Sequence, residues 1–485
     1  MQIKKSLANI VGVDNVTDKT RRLKAYAKDH SLALPRMPSY IVEPENAEQV
    51  QGIIKVANEC KIPVVPCSSG IHFHGNTIPE EGGVILNLQR MNKILKINER
   101  DRIVMIEPGV TWGQLQEELE KYHLMALIPL LPHPQKSVLT SHLEREPMLI
   151  PKFEYSDALV TTEVIFPSGE LFRTGSACVP GFPDKSVSTG VNPEGPGIDW
   201  WRLLQGAQGT LGVLTWANVK IEYKPKLNKC FFVPAKSVGD TIEPLYRIQR
   251  RMIGQECLLL NNTNLAAILA EKWPADYKNL KEILPPWVLI IVLAGGYRFP
   301  EEKIEYEEEA LREMAADLPF PDLLTSLSGA PGLGRELSEM LRQPWPEEKT
   351  YWKFGYKGSC QDIIFLTVAS RVPEFTEAID SIAAKHGYPI DDISYYVQPL
   401  ERARACHFEC TFFYNPDEPE EVARIREIYT EAAKTLIKME AFFSRPYGEI
   451  VDMVYEKTTS YTEALKKIKA WLDPNNIMSP GRLCF

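Results

Sequence analysis

The chain has 485 residues, of which 44% are hydrophobic and 25% charged, as in a globular protein of two or three domains. Its formal charge of −9 argues against nucleic acid and anionic lipid as partners. The apolar part of the amino terminus is short and interrupted, and the longest apolar run, residues 287–296, is about half of what a bilayer requires. We therefore expect no membrane span and a cytoplasmic location.

The nine cysteines form neither CxxC pairs nor a dense framework, which is typical of buried thiols in a reducing compartment. Cys406 and Cys410 flank His407 in "ARACHFECTFFY", a group that could in principle bind a metal ion. The same residues alternate as they would in a strand, and strand packing is the favoured interpretation. We expect no metal site and no iron-sulfur cluster.

The first elements in chain order are two strand and helix units. "YIVEPENAEQVQGIIKVANECKIPVVP" predicts a strand, an Asn cap, a helix with Val50 and Ile53 on its apolar face, and a second strand. "RIVMIEPGVTWGQLQEELEKYHL" repeats the scheme with Thr111 as the helix cap. A strand pair joined by a "PSG" turn follows in "ALVTTEVIFPSGELFRTG".

Residues 179–198 are rich in Pro and Gly and are predicted to form a surface loop. The composition then shifts near Tyr223, and residues 225–450 alternate strand patterns with charged helices. This alternation predicts a second α+β domain whose acidic helix faces are solvated. The chain closes with a helix that an Asp-Pro pair ends.

Three turns in the first half consist of small residues: "PCSSGIHFHGN", "PGVTWG" and "GAQGTLGV". Such turns let backbone N–H groups approach an anion or a flat ring closely. They are not a Walker loop, because no Lys-Ser or Lys-Thr follows the glycines, and no strand, GxGxxG and helix occur in the order that nicotinamide binding requires. Without a GxSxG turn, Ser-His-Asp hydrolysis is also unsupported.

These turns, together with "GGVILNLQRMNKILKIN", "VIFPSGELFRTG" and a final "DPNNIMSPGR", form an ordered set. The set resembles the FAD-binding domain of the vanillyl-alcohol oxidase and p-cresol methylhydroxylase superfamily, which includes D-lactate and glycolate dehydrogenases. The resemblance implies an α+β, two-domain PCMH-type FAD-binding fold with an inserted α+β substrate or cap domain. The FAD-binding domain would comprise residues 1–225, completed by 455–485, and the cap domain residues 226–454.

The resemblance also implies which residues contact FAD. The loop from Pro66 to Gly75 would cradle the pyrophosphate against its backbone, with a second loop and the Gly-rich turn along the rest of the cofactor. The matched positions are Pro66, Cys67, Ser68, Ser69, Gly70, Ile71, His72, Gly75, Pro108, Gly109, Ser137, Thr140, Ser141, Gly209, Gly212 and Val213. Ile71 and Asp362 stand at the two positions where relatives attach FAD covalently, so we expect noncovalent FAD, with His72 as the alternative attachment point.

A second resemblance, to the vanillyl-alcohol oxidase branch, covers the second half and implies the substrate site. Arg445 in "SRPYGEIVDMVY" would anchor an anion, and His74 and His407 would be polar pocket groups. Asp362 would lie near the flavin as a base or a tuner of charge. An Arg and a His, the latter as imidazolium if it is protonated, would bind a phenolate or a carboxylate equally well.

The expected function is that of a FAD-dependent oxidase or dehydrogenase. It would transfer a hydride from an alcohol or benzylic carbon of a small aromatic or anionic substrate to flavin. Two alternatives stay open: a D-2-hydroxy-acid dehydrogenase, although the HxGDGxxH-like motif of many such enzymes is absent, and a flavin-bearing electron-transfer subunit. Electrons would pass to O2 or a separate acceptor, and a homodimer and a subunit of an electron-transfer complex both remain open.

Overall fold

The computed structural model describes residues 2–152, 155–181, 186–316, 323–328, 330 and 332–485. Its strands are β1 (Val16–Thr17), β2 (Tyr40–Val42), β3 (Val64–Cys67), β4 (Val84–Asn87), β5 (Ile94–Asn98), β6 (Ile103–Ile106), β7 (Leu124–Ala126), β8 (Leu159–Ile165), β9 (Leu171–Arg173), β10 (Val213–Tyr223), β11 (Leu227–Ala235), β12 (Glu256–Asn261), β13 (Trp287–Gly295), β14 (Ser359–Thr367), β15 (Ile393–Leu400) and β16 (Ala405–Tyr414).

The helices connect and cover these strands in a mixed α and β architecture. They are α1 (Gln2–Val11), α2 (Thr20–Ala25), α3 (Ala47–Cys60), α4 (Trp112–Glu120), α5 (Val138–Leu143), α6 (Trp201–Leu204), α7 (Ile242–Arg250), α8 (Asn262–Leu269), α9 (Ala275–Ile283), α10 (Pro300–Ala316), α11 (Leu333–Met340), α12 (Val372–Lys385), α13 (Pro419–Lys438), α14 (Ile450–Lys457) and α15 (Thr459–Leu472).

The first half of the chain builds two sheets. One has the order β1-β2-β4-β3, with β2, β4 and β3 parallel, and the other is antiparallel with the order β5-β6-β10-β8-β9 and β7 beside β10. Helix α3 forms as predicted, because Asn46 accepts from the Gln49 N–H while Val50 and Ile53 are fully buried. Thr111 likewise caps α4 by accepting from the Gln114 N–H at 3.3 Å.

The second half builds one antiparallel sheet of six strands in the order β11-β13-β12-β15-β16-β14. The apolar run that we noted in the sequence is its strand β13, and no helix within the described ranges is long and apolar enough to cross a bilayer. Of the predicted Pro- and Gly-rich loop, residues 182–185 lie outside the described residues.

Side chains alternate between the two faces of β16, so Cys406, His407 and Cys410 do not share one face. Cys406 and Cys410 pack with Phe408 in the core beneath the helices, whereas His407 projects from the opposite face beside Glu409. The strand-packing interpretation is therefore supported, because the two thiols and the imidazole point away from each other.

The end of the chain returns to the first sheet. The Val64 N–H donates to Ile477 O at 2.7 Å, and the Ser479 N–H donates to Val64 O at 2.9 Å. Lys469, only 5% exposed, adds hydrogen bonds to the carbonyls of Thr210 and Met478. The closing segment thus lies along β3, directly beneath the first small-residue turn.

Candidate functional site

A cavity in the first half lies between the three small-residue turns, and we call it the loop cavity. Its apolar wall is formed by Leu88, Leu139, Leu143, Leu204, Val213 and Leu214. The rest of its wall contains polar residues, among them Ser68, Thr140 and Glu144, together with Gly209 and Gly212, whose φ angles are +74° and +158°. A Cβ on Gly209 would lie 2.7 Å from Pro66 Cγ. Only glycine allows these turns to close around the cavity.

Half of the residues predicted to bind the cofactor line the loop cavity. They are Pro66, Ser68, His72, Pro108, Thr140, Gly209, Gly212 and Val213. The others, which support this wall or lie beside it, are Cys67, Ser69, Gly70, Ile71, Gly75, Gly109, Ser137 and Ser141.

The supporting residues have identifiable structural partners. Ser137 caps α5 and donates to Pro108 O at 2.7 Å, while Ser141 accepts from Trp112 Nε1 at 2.9 Å. Both hydroxyls are thus turned into the protein, so any contact of Ser137 and Ser141 with the predicted cofactor would be made by their backbone. Thr140 between them does face the cavity, where its hydroxyl bonds to that of Ser68.

The first turn folds around its own small side chains. His72 Nε2 donates to Ser69 O at 2.7 Å, and Cys67 Sγ donates to the same carbonyl at 3.2 Å. Burial lowers the pKa of His72 to about 4 and raises that of Cys67 to about 12, so both side chains are neutral near pH 7. At the end of the turn, the Gly75 N–H donates to Asp29 Oδ2 at 2.6 Å and fixes the loop path.

A second space, the central cavity, lies between the first half and the six-stranded sheet. Two adjoining hollows compose it and share Phe73, His74, Asp362, Ile364 and Arg445 in their walls. Tyr447 and Gln208 line both the outer hollow and the loop cavity. The loop cavity and the central cavity are therefore neighbours.

Arg445 is the basic group at the junction of the two hollows. It is 4% exposed, and its Nη1 donates to Glu144 O at 3.1 Å. The His74 ring stacks on Tyr447, with ring centroids 4.2 Å apart and planes 5° apart. Burial, aided by the charges of Lys136 and Arg445, holds the pKa of His74 well below 6.5. His74 is thus a neutral imidazole, which corrects the idea of an imidazolium beside Arg445.

The sheet face of the central cavity carries a triad of charged groups, Asp362, Lys353 and Glu409. Lys353 Nζ donates to Asp362 Oδ2 and to Glu409 Oε1, each at 2.7 Å. Burial raises the pKa of Asp362, and the charge of Lys353 offsets only part of this rise. For Glu409, Lys353 and His407 together outweigh burial and hold the pKa well below its usual range.

His407 lies behind this triad rather than on the cavity wall. It is fully buried, and its Nε2 donates to Glu409 Oε2 at 3.2 Å. Burial lowers its pKa to about 4. The prediction of His407 as a pocket group is corrected accordingly: it lies behind Glu409, which lines the cavity.

A second triad stands on the opposite wall. Lys136, 2% exposed, donates from Nζ to Glu144 Oε2 and Glu146 Oε1, both at 2.6 Å. Burial would raise the pKa of Glu146, but Lys136 outweighs it and lowers that pKa to about 2. His74 and the two glutamates could surround a small cation, yet the ammonium of Lys136 already serves as their countercharge.

Sequence reasoning missed both lysine triads. Their members lie in segments that read as loops or strands, and single charged residues there resemble solvent-facing positions. The only signal was local: Lys136 and Lys353 each stand among aromatic, Pro or small residues, where a charge is costly unless it is paired.

Comparison with known proteins agrees with this geometry. Residues 38–175 match the family model of the FAD binding domain, and residues 365–483 match that of the C-terminal domain of FAD linked oxidases. The solved structure of p-cresol methylhydroxylase with substrate bound superposes with a TM-score of 0.87 at 21% identity, covering 100% of this chain and 96% of that one.

Two curated relatives are similar over nearly their whole length. The glycolate oxidase subunit GlcD of Bacillus subtilis is 24% identical over 99% of this chain and 96% of the relative. The flavoprotein subunit of 4-cresol dehydrogenase from Pseudomonas putida is 24% identical over 98% and 93%. A mitochondrial D-lactate dehydrogenase of Arabidopsis thaliana is 23% identical over 92% and 73%.

The matches to a FAD-binding domain and to the C-terminal domain of FAD linked oxidases identify a FAD-binding flavoenzyme. The chain belongs to the p-cresol methylhydroxylase-type FAD flavoprotein superfamily and is a FAD-linked oxidoreductase. The loop cavity fits this cofactor, because its glycine turns leave backbone and apolar walls where larger residues would fill the space.

Proposed function

We propose that this enzyme oxidises the alcohol or benzylic carbon of a small anionic, aromatic substrate bound in the central cavity. The observation that carries the proposal is the buried guanidinium of Arg445 in a wall that also contains Phe73, Tyr351 and Trp352. A guanidinium with aromatic neighbours suits a flat substrate with a phenolate or carboxylate group. We accordingly propose that the enzyme acts on substrates like those of the vanillyl-alcohol oxidase branch.

Each residue of the central cavity has its own role in the proposed reaction. Arg445 binds the anionic end of the substrate, and the stacked His74 and Tyr447 rings hold its orientation. Asp362, whose pKa burial raises, accepts the proton that an alcohol releases as it becomes a carbonyl. FAD, when bound, supplies the acceptor for the two electrons that leave with the hydride. His407 orients Glu409 through its hydrogen bond to Oε2.

For the cofactor we propose the loop cavity as the binding site. Backbone groups of the turn at residues 66–75 and of Gly209 and Gly212 would contact its phosphates, with Thr140 and Ser68 beside them. We propose noncovalent binding, because Ile71 and Asp362 offer no nucleophile suited to a stable link to the flavin. The corresponding domain assignment is residues 1–225 with 455–485 for FAD and 226–454 for the substrate.

A second candidate is oxidation of a D-2-hydroxy acid. It is favoured by the charged lining of the central cavity, in which Arg445 could bind a carboxylate while Asp362 accepts the hydroxyl proton. The similarity to the glycolate oxidase subunit and the D-lactate dehydrogenase supports the same alternative. So small a substrate would leave the aromatic wall without a contact, so we rank oxidation of a D-2-hydroxy acid second.

Anaerobic mixing with two substrate panels tests the proposal. One panel contains 4-hydroxybenzyl alcohols and 4-alkylphenols, and the other contains D-lactate, glycolate and D-2-hydroxyglutarate. Bleaching of the flavin absorbance by the first panel alone is the expected result. Bleaching by the second panel alone would replace the proposal with the hydroxy-acid candidate, and bleaching by neither would favour an electron-transfer subunit.

Electrons must then leave the reduced enzyme. Its chain has no CxxC motif for a cluster, so we propose O2 or a separate redox protein as the acceptor. The Pseudomonas putida relative is described as a flavoprotein subunit, which is consistent with a partner. Reoxidation of the photoreduced enzyme by air, compared with a cytochrome c, separates the two routes.

A further inference from the structure

We infer that Lys353 is a positioning residue for the proposed oxidation. Its ammonium keeps Asp362 and Glu409 side by side as carboxylates on the wall of the central cavity. The inference rests on the proposed function, in which Asp362 accepts a proton. Lys353 acts through these two groups, because its ammonium is their shared countercharge.

The fold forces the two carboxylates together. Asp362 on β14 is paired with Thr411 on β16, and Ile364 is paired with Glu409, so Asp362 and Glu409 are diagonal neighbours on one face of the sheet. Diagonal partners are about 7–8 Å apart at Cα, which long side chains bridge easily. Two carboxylates that share a site cannot both ionise without a countercharge.

Every oxygen of the pair has a partner in the protein. Asp362 accepts from Lys353 through Oδ2 and from Thr411 Oγ1 through Oδ1 at 2.6 Å. Glu409 accepts from Lys353 through Oε1 and from His407 through Oε2. The side chains of Lys353, Asp362 and Glu409 are only 12%, 10% and 11% exposed. The pair is therefore fixed in orientation and shielded from water.

Other titratable groups near the triad do not replace Lys353. The Tyr351 and Tyr429 phenols and the Cys360 thiol lie near the triad, and the Cys410 thiol lies on the opposite face of β16. Burial raises the pKa of all four groups, so they are neutral. Across the cavity stand neutral His74, Arg445 and Glu146. Glu146 is already paired with Lys136, and Arg445 contacts the Glu144 backbone. Lys353 is the cation within hydrogen-bond distance of both carboxylates.

The consequence concerns the proton balance of the reaction. When the substrate H–C–O–H becomes C=O, the carbon loses a hydride with two electrons to the flavin and the oxygen loses a proton. Asp362 can take that proton only if it is ionised beforehand. Without Lys353, Asp362 is the carboxyl that would retain its proton at neutral pH, because burial raises its pKa while Glu409 keeps its hydrogen bond from His407. The acceptor of the substrate proton would then be lost.

The test replaces the charge and follows pH. In Lys353→Met we expect flavin reduction by the substrate to be about 10²-fold slower at pH 7, since positioned proton transfer is worth about 10²- to 10⁴-fold. Its rate should recover as pH rises through the raised pKa of the carboxyl pair. Lys353→Arg should keep the wild-type profile, because it retains the charge. Lys281→Met, which breaks the Lys281–Asp392 pair elsewhere in the sheet domain, is the matched control.

A second readout does not depend on turnover. In Lys353→Met the loss of the ammonium leaves burial to raise the pKa of the Asp362 carboxyl above its unfolded value. The stability that this group contributes is present below the unfolded pKa and is lost as pH rises through the folded pKa. The melting temperature should therefore fall with rising pH relative to wild type. Adding Asp362→Asn removes the second carboxyl and should abolish this dependence.

The outcomes separate cleanly. If the rate of flavin reduction and the melting temperature of Lys353→Met both depend on pH as they do in the wild type, the inference is overturned. If Lys353→Met folds only at low pH, or folds only together with Asp362→Asn, the inference is supported, whereas failure of both variants at every pH overturns it. Absence of substrate reduction in the wild type would defeat the proposed function, while the melting profiles would still decide the role of Lys353.

Discussion

At the scale of single residues, the cofactor site depends on positions where a side chain cannot be accommodated. Gly209 combines a φ of +74° with a Cβ position only 2.7 Å from Pro66 Cγ. Gly209→Ala should therefore add about 1–2 kcal/mol of backbone strain and displace a wall of the loop cavity. We expect weaker FAD binding, measured as flavin content after dialysis.

The control for this variant is Gly387→Ala. Gly387 has a φ of +69° but nothing within 4 Å of its Cβ position, so it carries the strain without the crowding. Equal flavin loss in both variants would show that strain alone, rather than the close approach to Pro66, causes the defect.

The neutral state of His74 leads to a second residue-scale prediction. Because burial and the neighbouring cations hold its pKa well below 6.5, His74 should remain uncharged as pH rises from 6 to 8. Substrate affinity in the wild type and in His74→Gln should thus change with pH in parallel. If the substrate affinity of the wild type falls as pH rises through 6.5 while that of His74→Gln stays constant, His74 binds the substrate as an imidazolium.

Individual site residues were only partly predictable from the sequence. The glycine turns and Arg445 could be found, because small residues and a matched motif are visible locally. The Lys353 triad could not be found, because Lys353 is 9 positions from Asp362 and 56 positions from Glu409. The two carboxylates come together only through the pairing of β14 with β16. The inward turn of Ser137 and Ser141 was also hidden, because one helix position decides which way a hydroxyl points.

At the scale of elements, the closing segment completes the first sheet. Lys469 is buried with Asp473, whose carboxylate also accepts from the N–H groups of Ile477 and Met478. Lys469→Met should leave a buried carboxylate without its countercharge and cost about 3–5 kcal/mol. Chemical denaturation of the FAD-free protein measures this loss.

Lys467→Met provides the comparison on the same helix, because Lys467 is exposed. We expect its unfolding curve to match that of the wild type. Equal stability of the Lys469 variant would mean that the segment along β3 does not depend on this buried pair.

Element prediction succeeded where periodicity is strong. The apolar face of α3, the Thr111 cap and the alternation of β16 all follow local patterns that packing then reinforces. The pairing of residues 477–479 with β3 has no such pattern, because "NNIMSP" contains neither alternation nor β-branched runs. That contact is set by tertiary structure alone.

At the scale of the whole molecule, the loop cavity and the central cavity are neighbours that share Gln208 and Tyr447 in their walls. Noncovalent FAD should dissociate when both halves unfold. We expect acid denaturation to release the yellow colour into the supernatant and to leave the polypeptide band without flavin fluorescence on a denaturing gel. Fluorescence that remains on the band would point to His72, and His72→Ala would then abolish it.

The central claim is that substrate is oxidised beside Arg445 by hydride transfer to bound FAD. The most direct measurement is anaerobic flavin reduction by the best substrate of the panel, protonated or deuterated at the reacting carbon, in wild type and Arg445→Ala with equal flavin content. We predict a slower reduction with deuterium and a half-saturating concentration raised in Arg445→Ala by the equivalent of roughly 2–5 kcal/mol, because a buried charge pair loses one partner. Arg445→Lys should recover part of the affinity, since an ammonium lacks the guanidinium fork. Reduction with no isotope effect, at the same half-saturation in both proteins, would contradict the account.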